Sequence, residues 1–247
     1  LNEAFETYAE RKSLKTLKDL ELGLFQKTII FLQGASGLGK TILAKELANK
    51  LQLLSKANGE DWEVIITAAT NPFDDVKGEE IILLDDVRGQ ALSASDWLKL
   101  LDPFTASPIS SRFKNRSGAV KTIIITSSKP ALEFFFKTKD SGYEDLSQFI
   151  RRINHFITLR TDGSGNIIYS SSFPERKQIP IQRKVPNKEV IVSLDYDFST
   201  AIEMNSEDLV EFLIETVRLN NRWEISYLDI KKAITPTDQS KSDDLNQ

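Results

Sequence analysis

The sequence predicts an α/β fold in which a parallel sheet is flanked by helices. Over residues 25–160, short apolar, β-branched runs of strand length alternate with segments that carry apolar residues at helical spacing. The run at 81–84 is continuously apolar, as in a central strand that is buried on both faces. The expected strands are 27–33, 62–68, 79–86, 122–126 and 155–159. The expected helices are 41–55, 95–101, 130–137 and 144–154.

The loop between the first strand and the first helix is rich in glycine. It matches the phosphate-binding pattern G-x-x-x-x-G-K-[ST] with Gly34, Ala35, Ser36, Gly37, Leu38, Gly39, Lys40 and Thr41. A glycine loop in this place aims backbone N–H groups and the positive end of a helix at a polyphosphate. We expect Lys40 to reach the β- and γ-phosphates and the Thr41 hydroxyl to ligate Mg²⁺. The sequence therefore predicts a P-loop protein that binds a nucleotide.

Two carboxylates follow the apolar residues 81–84 of the strand predicted at 79–86. Asp85 and Asp86 stand where this strand ends, and the carboxyl ends of parallel strands meet at one edge of a sheet. We expect Asp85 to hold Mg²⁺, directly or through water, and Asp86 to polarise the attacking water. Such a pair predicts hydrolysis of the nucleotide as well as binding.

The composition excludes several other kinds of site. The chain has 247 residues, no cysteine and one histidine, so disulfides, thiolate metal sites and most zinc schemes are excluded. We expect that histidine, His155, to be a packed strand residue. The longest apolar runs are strand-sized and no signal-peptide pattern opens the chain, so we expect no membrane association. Because the chain begins at Leu1 and its one methionine is Met204, we expect a domain excised from a longer protein.

Four segments are expected along the chain. They are an N-terminal helical segment for oligomerisation (1–24), the nucleotide-binding domain (25–160), a C-terminal α+β extension of unknown role (161–234) and a polar, disordered tail (235–247). Within the extension we expect two short strands around a turn at 162–166, a basic linker with proline at 176–188, a strand at 190–194, and a helix from a Ser206 cap to Arg218.

A basic run follows the double acid and includes the strand at 122–126. Residues 112–129 contain five lysines and arginines and no acid, although residues 1–160 together hold 22 basic and 21 acidic side chains. A local basic run in a nearly neutral nucleotide-binding domain is a candidate nucleic-acid contact. The polar and basic stretch 108–120, which overlaps this run, contains Gly118 and is expected to form a hairpin.

The order of these elements resembles that of the superfamily 3 helicases. These are AAA+ ATPases of the replication (Rep) proteins of small DNA viruses and plasmids. The resemblance covers residues 28–160 and is closest to the Rep helicase domain of circular single-stranded DNA viruses and related rolling-circle plasmids of bacteria. It implies an AAA+ fold, ATP and Mg²⁺ as cofactors, and a location in the cytoplasm of a bacterial host. The strings that carry it are GASGLGKT, GEEIILLDD, WLKLLDPF, SSRFKNRSGAVK, IIITSSKPALEFF and FIRRINHFITL.

The resemblance also implies a role for the basic hairpin. In ring helicases of this kind, hairpins of all subunits project into a central channel and grip the nucleic-acid strand. Arg112, Lys114 and Arg116 would then contact phosphates with help from Asn115. Phe113 would either stack on a base or pack the root of the hairpin.

Two further positions are assigned by the resemblance. Ser128 stands where the viral relatives normally have the asparagine that holds the water and the γ-phosphate, and a serine can also donate and accept hydrogen bonds. Arg151 or Arg152 would act as an arginine finger on the γ-phosphate of the next protomer, with Arg152 as the preferred candidate. The alternative for both arginines is a surface ion pair.

The resulting prediction is an ATP-driven helicase motor of a replication initiator. Its expected partners are single-stranded DNA and further copies of the chain in a ring, most simply a hexamer. The endonuclease of such an initiator would lie upstream, because this chain lacks the paired histidines of that domain. Three alternatives stay open: an AAA+ helicase loader or adaptor that uses ATP as a switch, an RNA helicase, and a small-molecule P-loop kinase. The last explains neither the hairpin nor the paired arginines.

Overall fold

A computed structural model of the protein describes residues 2–68, 76–106, 108–109, 116–117, 120–138, 145–185 and 188–234. Its helices are α1 (Asn2–Glu21), α2 (Lys40–Ala57), α3 (Ala94–Leu101), α4 (Ala131–Phe136), α5 (Ser147–Ile150), α6 (Ser206–Asn220) and α7 (Tyr227–Ile234). Its strands are β1 (Thr28–Gly34), β2 (Val64–Ala68), β3 (Ile81–Asp85), β4 (Pro108–Ile109), β5 (Arg116–Ser117), β6 (Thr122–Ser127), β7 (His155–Thr161), β8 (Ile167–Ser172), β9 (Pro174–Val185), β10 (Lys188–Phe198) and β11 (Ile202–Met204). Within the described ranges, each helix is too short or too polar to cross a membrane.

Seven of the described strands form one sheet, in the order β11-β8-β7-β1-β6-β3-β2. The five strands from β7 to β2 in that order are parallel. β8 runs antiparallel to β7, and β11 runs antiparallel to β8. Since the parallel strands all end at the same edge, this edge brings together the loops that follow β1, β3 and β6. The predicted α/β fold with a mainly parallel sheet is confirmed.

Both faces of this sheet are covered. Along β1, Ile29 and Phe31 belong to a core that includes residues of α3, α4 and α5, whereas Ile30 and Leu32 belong to a core that includes residues of α2 and α6. All four side chains are fully buried. A strand that is buried on both faces reads as a continuous apolar run, which is the pattern seen in the sequence. The close-packed core on each side fixes the strand ends that carry the site.

The helix predicted at 144–154 is shorter than expected. In the described part of that range, only Ser147–Ile150 is α-helical. The chain leaves the helix because Asn154 is bound to β1: its N–H donates to the Ile29 carbonyl (2.8 Å), and its side-chain oxygen accepts from the Ile29 N–H (2.8 Å). These two bonds draw the chain directly into β7.

The prediction of a linker at 176–188 is wrong. β9 and β10 pair antiparallel along their length and form a two-stranded ribbon. Pro180 is accommodated because both strands of such a ribbon are edge strands, on which a missing N–H can face away from the partner. At the base of the ribbon the ring of Phe198 contacts Phe156 edge to face, with 4.3 Å between centroids.

The central sheet continues past residue 160. The predicted turn at 162–166 joins β7 to β8, and β8 and β11 extend the sheet. α6 packs in the same core as α2, with Leu213 and Val217 fully buried. The boundary predicted at residue 160 therefore falls inside β7, and part of the C-terminal extension shares the core of the nucleotide-binding domain. The predicted tail at 235–247 lies outside the described residues.

The cap of α6 lies one residue earlier than expected. The side-chain oxygen of Asn205 accepts a hydrogen bond from the Asp208 N–H (2.9 Å), so Asn205 is the N-cap and Ser206 is the first helical residue. Asparagine and serine cap helices about equally well, and the sequence offers both in adjacent positions.

The N-terminal segment is one helix. α1 ends at Glu21, and Gly23 follows it with a φ of +66°. The Lys12 ammonium ties the helix to the sheet, at 2.6 Å from Glu63 and 2.9 Å from Glu80. Burial opposes the charge on Lys12, but the hydrogen bonds to both carboxylates outweigh it and raise the pKa of Lys12. The helical prediction is confirmed, and the role in oligomerisation stays a prediction.

His155 is packed into the fold, as expected. It is 6% exposed, its Nε2 lies 2.8 Å from the Thr216 hydroxyl, and its ring contacts Phe212 edge to face. Burial lowers the pKa of His155 to about 4. The folded protein therefore holds this imidazole neutral at neutral pH.

This burial predicts acid sensitivity. The unfolded chain protonates His155 near pH 6.5, whereas the folded protein does so only near pH 4, so acidification within that window favours unfolding. We expect the free energy of unfolding to fall by roughly 1.5 kcal/mol between pH 6.5 and pH 5 because of this group alone. Urea titrations of the wild type and His155→Gln at several pH values measure it. Equal pH slopes for the two proteins would contradict a neutral, buried His155.

Candidate nucleotide site

The predicted phosphate loop joins β1 to the start of α2. Gly37 and Gly39 have φ values of +84° and +83°, a left-handed conformation that strains any residue with a Cβ atom. α2 begins at Lys40 without a side-chain cap and without an acid in its first turn. The first N–H groups of this 18-residue helix and its positive end are therefore available to an anion.

The Lys40 side chain lies within this loop. Its ammonium donates to the carbonyls of Gly34 (2.7 Å) and Ala35 (2.9 Å). These carbonyls belong to the first two residues of the loop, so the ammonium of its seventh residue folds back onto its start. A positive charge in that place suits a phosphate that sits on the helix N-terminus.

Asp85 meets Thr41 at the carboxyl edge of the sheet. The Thr41 hydroxyl donates to Asp85 Oδ1 at 2.7 Å, although 44 residues separate the two in the chain. A hydroxyl and a carboxylate oxygen are hard ligands of the kind that Mg²⁺ prefers, and Mg²⁺ is normally held by one or two such groups together with phosphate oxygens and water. The residues present fit a divalent cation, as the sequence predicted.

Thr126 is a site residue that the sequence analysis missed. Its hydroxyl donates to the same Asp85 Oδ1 (2.8 Å) and accepts from the Asp86 N–H (2.8 Å). Thr126 lies near the end of β6, the strand that pairs with β3. The available signal was a polar residue at the end of a buried parallel strand, but the contact depends on the register between two strands.

The backbone of Asp86 is held in an uncommon conformation. Its φ is +48°, in the left-handed region that non-glycine residues seldom adopt, although aspartate tolerates it better than most. The hydrogen bond from its N–H to Thr126 stabilises this turn. Strained residues of this kind are concentrated at functional sites. The sequence predicted Asp86 as a site residue. The structure adds the left-handed backbone conformation of that residue, directly after the end of β3.

Gln33 links β1 to β7 and to α4 next to the phosphate loop. Its side-chain nitrogen donates to the Thr158 hydroxyl on β7 (2.7 Å), and its oxygen accepts from the Ala131 N–H at the start of α4 (3.3 Å). Ser128 is exposed and lies one residue beyond the end of β6. The hydroxyl that contacts the Asp85 carboxylate and the Asp86 backbone N–H is that of Thr126, and the sensor role of Ser128 stays a prediction.

The two adjacent arginines have different surroundings. Arg152 is 15% exposed, donates to the Gln148 carbonyl (2.6 Å) and lies 3.6 Å from Asp102. Burial and the neighbouring charge of Arg151 lower the pKa of Arg152. Arg151 is exposed and forms no ion pair with another residue in the described ranges. The choice between the two arginines as the finger stays a prediction, and the exposed guanidinium is that of Arg151.

Comparison of the chain with known protein families identifies a family of nucleotide hydrolases. The family described as Novel STAND NTPase 3 (nSTAND3) matches residues 8–171, which include the phosphate loop, both acids and the paired arginines. The chain belongs to the nSTAND3 NTPase family. The prediction of a P-loop nucleotide-binding fold is confirmed by this match.

One curated relative is similar over much of the chain. It is named Replication protein, from Onion yellows phytoplasma (strain OY-M), and is 34% identical over 187 residues. The alignment covers 75% of this chain and 46% of that protein. The chain thus spans less than half of the length of this relative.

The structure describes the root of the predicted basic hairpin. β4 and β5 pair antiparallel, with Pro108 opposite Ser117 and Ile109 opposite Arg116. Arg112, Phe113, Lys114 and Asn115 lie outside the described residues, so their contact with nucleic acid stays a prediction. The hairpin is inserted before β6, whose other end carries Thr126, so the two features lie at opposite ends of one strand.

Proposed function

We propose that this nSTAND3 NTPase is an ATP-driven, ring-forming motor of a replication initiator, which translocates on single-stranded DNA and unwinds duplex. The proposal is supported by the hydrolytic layout of the site, by a basic hairpin in the family order of superfamily 3 helicases, and by the relative named Replication protein. A location in the bacterial cytoplasm belongs to the same proposal.

The observation that carries the proposal is the set of hydrogen bonds around Asp85. Thr41 ends the phosphate loop, Asp85 ends β3 with Asp86 directly after it, and Thr126 lies near the end of β6, so three neighbouring elements converge within hydrogen-bond distance. Thr41 and Asp85 serve to bind the nucleotide with its cation. The carboxylate that adds hydrolysis to binding is that of Asp86, which lies on a turn held by Thr126.

Each residue then has a defined task with ATP. Lys40 and the N-terminal N–H groups of α2 bind the β- and γ-phosphates, and Thr41 with Asp85 hold Mg²⁺. When bound, Mg²⁺ neutralises charge on the phosphate oxygens. Asp86 orients the attacking water and accepts its proton, while Thr126 fixes the direction of both acids.

We assign the in-trans role to Arg151. Its exposed side chain is free to meet the γ-phosphate of an adjacent protomer, where an arginine stabilises charge that develops during transfer. Every site of the assembly receives an arginine from a neighbour when such head-to-tail contacts close into a ring, and six subunits are the proposed number. α1, with Tyr8 and Leu14 largely exposed, is the proposed additional contact between subunits.

The proposed nucleic-acid contact is the hairpin between β4 and β5. Arg112, Lys114 and Arg116 contact phosphates, which carry little sequence information and therefore suit a translocating motor. Asn115 and Phe113 complete this surface. The same contacts would serve RNA, so the polymer must be tested directly.

Substitution of the hairpin cations tests the nucleic-acid contact. We expect Arg112→Ala with Lys114→Ala and Arg116→Ala to weaken binding of single-stranded DNA, and each lost phosphate contact to remove roughly 0.7 from the log–log slope of affinity against salt. Basal ATP hydrolysis should be retained. Fluorescence anisotropy with an oligonucleotide at several salt concentrations measures the slope.

The matched control is Arg183→Ala with Lys184→Ala on the β9–β10 ribbon, which should leave the slope unchanged. A reversed result, with the slope altered by the ribbon variant and not by the hairpin variant, would move the nucleic-acid site to the ribbon.

A further inference from the structure

A lysine is buried at the start of the strand that leads to the phosphate loop. Lys27 is fully buried, and its ammonium donates to the carbonyls of Thr105 (2.7 Å) and Leu100 (3.3 Å). Its own N–H donates to the Pro103 carbonyl (3.0 Å). A buried cation is costly unless it is hydrogen-bonded, so a lysine here implies a specific use.

That use concerns the segment that enters the basic hairpin. Thr105 lies three residues before β4, and the short turn from Asp102 to Thr105 is closed by Asp102 itself. Asp102 Oδ1 accepts from the N–H groups of Phe104 and Thr105, each at 3.0 Å. Burial opposes the charge on Asp102, but these hydrogen bonds outweigh it and keep the pKa of Asp102 below its usual value.

Arg152 holds the same turn from the other side. Its guanidinium lies 3.6 Å from Asp102 Oδ2, and its Nε is buried without a hydrogen bond to another described residue. The side chains of Asp102 and Arg152 are 26% and 15% exposed, so water screens this pair less than it screens a surface pair. The turn is therefore held by two cations: Lys27 binds the Thr105 carbonyl, and Arg152 lies beside the Asp102 carboxylate.

The segment that leaves the hairpin is bound to the same place. The Thr28 N–H donates to the Lys121 carbonyl (2.9 Å), and Lys121 directly precedes β6. The entry and the exit of the hairpin are thus hydrogen-bonded to two consecutive residues, Lys27 directly before β1 and Thr28 at its start. β1 is seven residues long and ends in the phosphate loop.

We propose that Lys27 and Asp102, with Arg152, are positioning residues that fix the root of the hairpin to β1 and so couple the nucleic-acid contact to nucleotide hydrolysis. The coupling half of this inference rests on the proposed function, because it requires that the hairpin contact single-stranded DNA. The anchoring half does not. None of these side chains touches the nucleotide in this assignment, and their effect is on the position of the hairpin and on stimulation by DNA.

Two variants separate the contributions. Lys27→Met keeps the length and removes the donor to Thr105 and Leu100. Asp102→Asn keeps an oxygen for the two N–H groups of the turn but removes the charge that faces Arg152. Lys99→Met, on α3 and largely exposed, is the matched control, since its ammonium lies 3.6 Å from Asp96 on the same helix and contributes little.

The first measurement tests anchoring without nucleic acid. We expect amide hydrogen exchange across residues 106–120 to be faster in Lys27→Met and Asp102→Asn than in the wild type and Lys99→Met, with exchange in α2 unchanged. Unchanged exchange across 106–120 in both variants would overturn the anchoring role. Unfolding midpoints show whether each variant retains its fold, and Asp102→Asn decides the matter where Lys27→Met does not fold.

The second measurement tests coupling. The concentration of single-stranded DNA that gives half-maximal stimulation of ATP hydrolysis should rise on the order of tenfold in both variants, while the rate without DNA stays that of the wild type. An unchanged half-maximal concentration together with faster exchange would overturn the coupling role. If DNA does not stimulate the wild type at all, the proposed motor and the coupling fail together, whereas the exchange result still decides the anchoring.

Discussion

A Lys40→Ala variant is expected to lose ATP hydrolysis while its fold is retained. The ammonium lies within the phosphate loop on the carbonyls of Gly34 and Ala35, so its removal deletes the cation for the γ-phosphate and not an apolar core contact. Steady-state phosphate release measures the loss, and an unfolding curve checks the fold. Lys45→Ala, an exposed lysine on the same helix, should hydrolyse ATP like the wild type. Near-normal turnover by Lys40→Ala would refute the assignment of the loop.

Asp86→Asn should give a different defect at the same site. It leaves the phosphate loop and the Thr41–Asp85 pair intact, so ATP should still bind. Hydrolysis should slow by about a hundredfold, because a neutral amide cannot accept the proton of the attacking water. The contrast between retained binding and lost turnover distinguishes a catalytic Asp86 from one that serves the fold alone.

Arg151→Ala is expected to lower ATP hydrolysis by about a thousandfold, because an arginine supplied in trans stabilises charge in the transition state. The variant keeps its own phosphate loop but cannot complete the site of its neighbour. Lys40→Ala has the opposite defect. Mixing the two inactive proteins should therefore restore part of the activity at junctions where an intact loop meets an intact arginine.

Arg152→Ala is the matched comparison for this experiment. Arg152 is held by Gln148 and Asp102 within its own chain, so its loss should disturb the turn at 102–105 while the rate of ATP hydrolysis without DNA stays that of the wild type. Complementation by Arg152→Ala and not by Arg151→Ala would reverse the assignment. No complementation by either arginine variant, in mixtures shown to contain mixed assemblies, would rule out catalysis in trans.

Local sequence was enough to predict the phosphate loop. Eight consecutive residues carry it, and the glycines are required by the backbone at Gly37 and Gly39. The meeting of Thr41 and Asp85 was also predictable, since parallel strands bring their carboxyl ends to one edge whatever their order. Thr126 was not predictable, because its contact with Asp85 requires β6 to be the neighbour of β3 in one particular register.

The errors have a common physical cause, which is pairing between distant segments. Residues 176–188 contain proline and basic side chains, a composition that suits a linker until β10 pairs with them. The helix after residue 144 ends early because Asn154 pairs with Ile29, 125 residues away. Arg151 and Arg152 are adjacent in the sequence, and the structure adds that Arg152 lies beside Asp102 and Gln148 whereas Arg151 is exposed.

The most direct test of the proposed motor is strand separation on a forked duplex. With ATP, the protein is expected to separate a forked DNA duplex, and the Lys40→Ala protein is expected not to, although it should still bind the single-stranded arm. A parallel fork of RNA decides between the polymers. If the wild type hydrolyses ATP and binds single-stranded DNA but separates neither fork, the motor is contradicted and the chain acts as an ATP-dependent loader or switch.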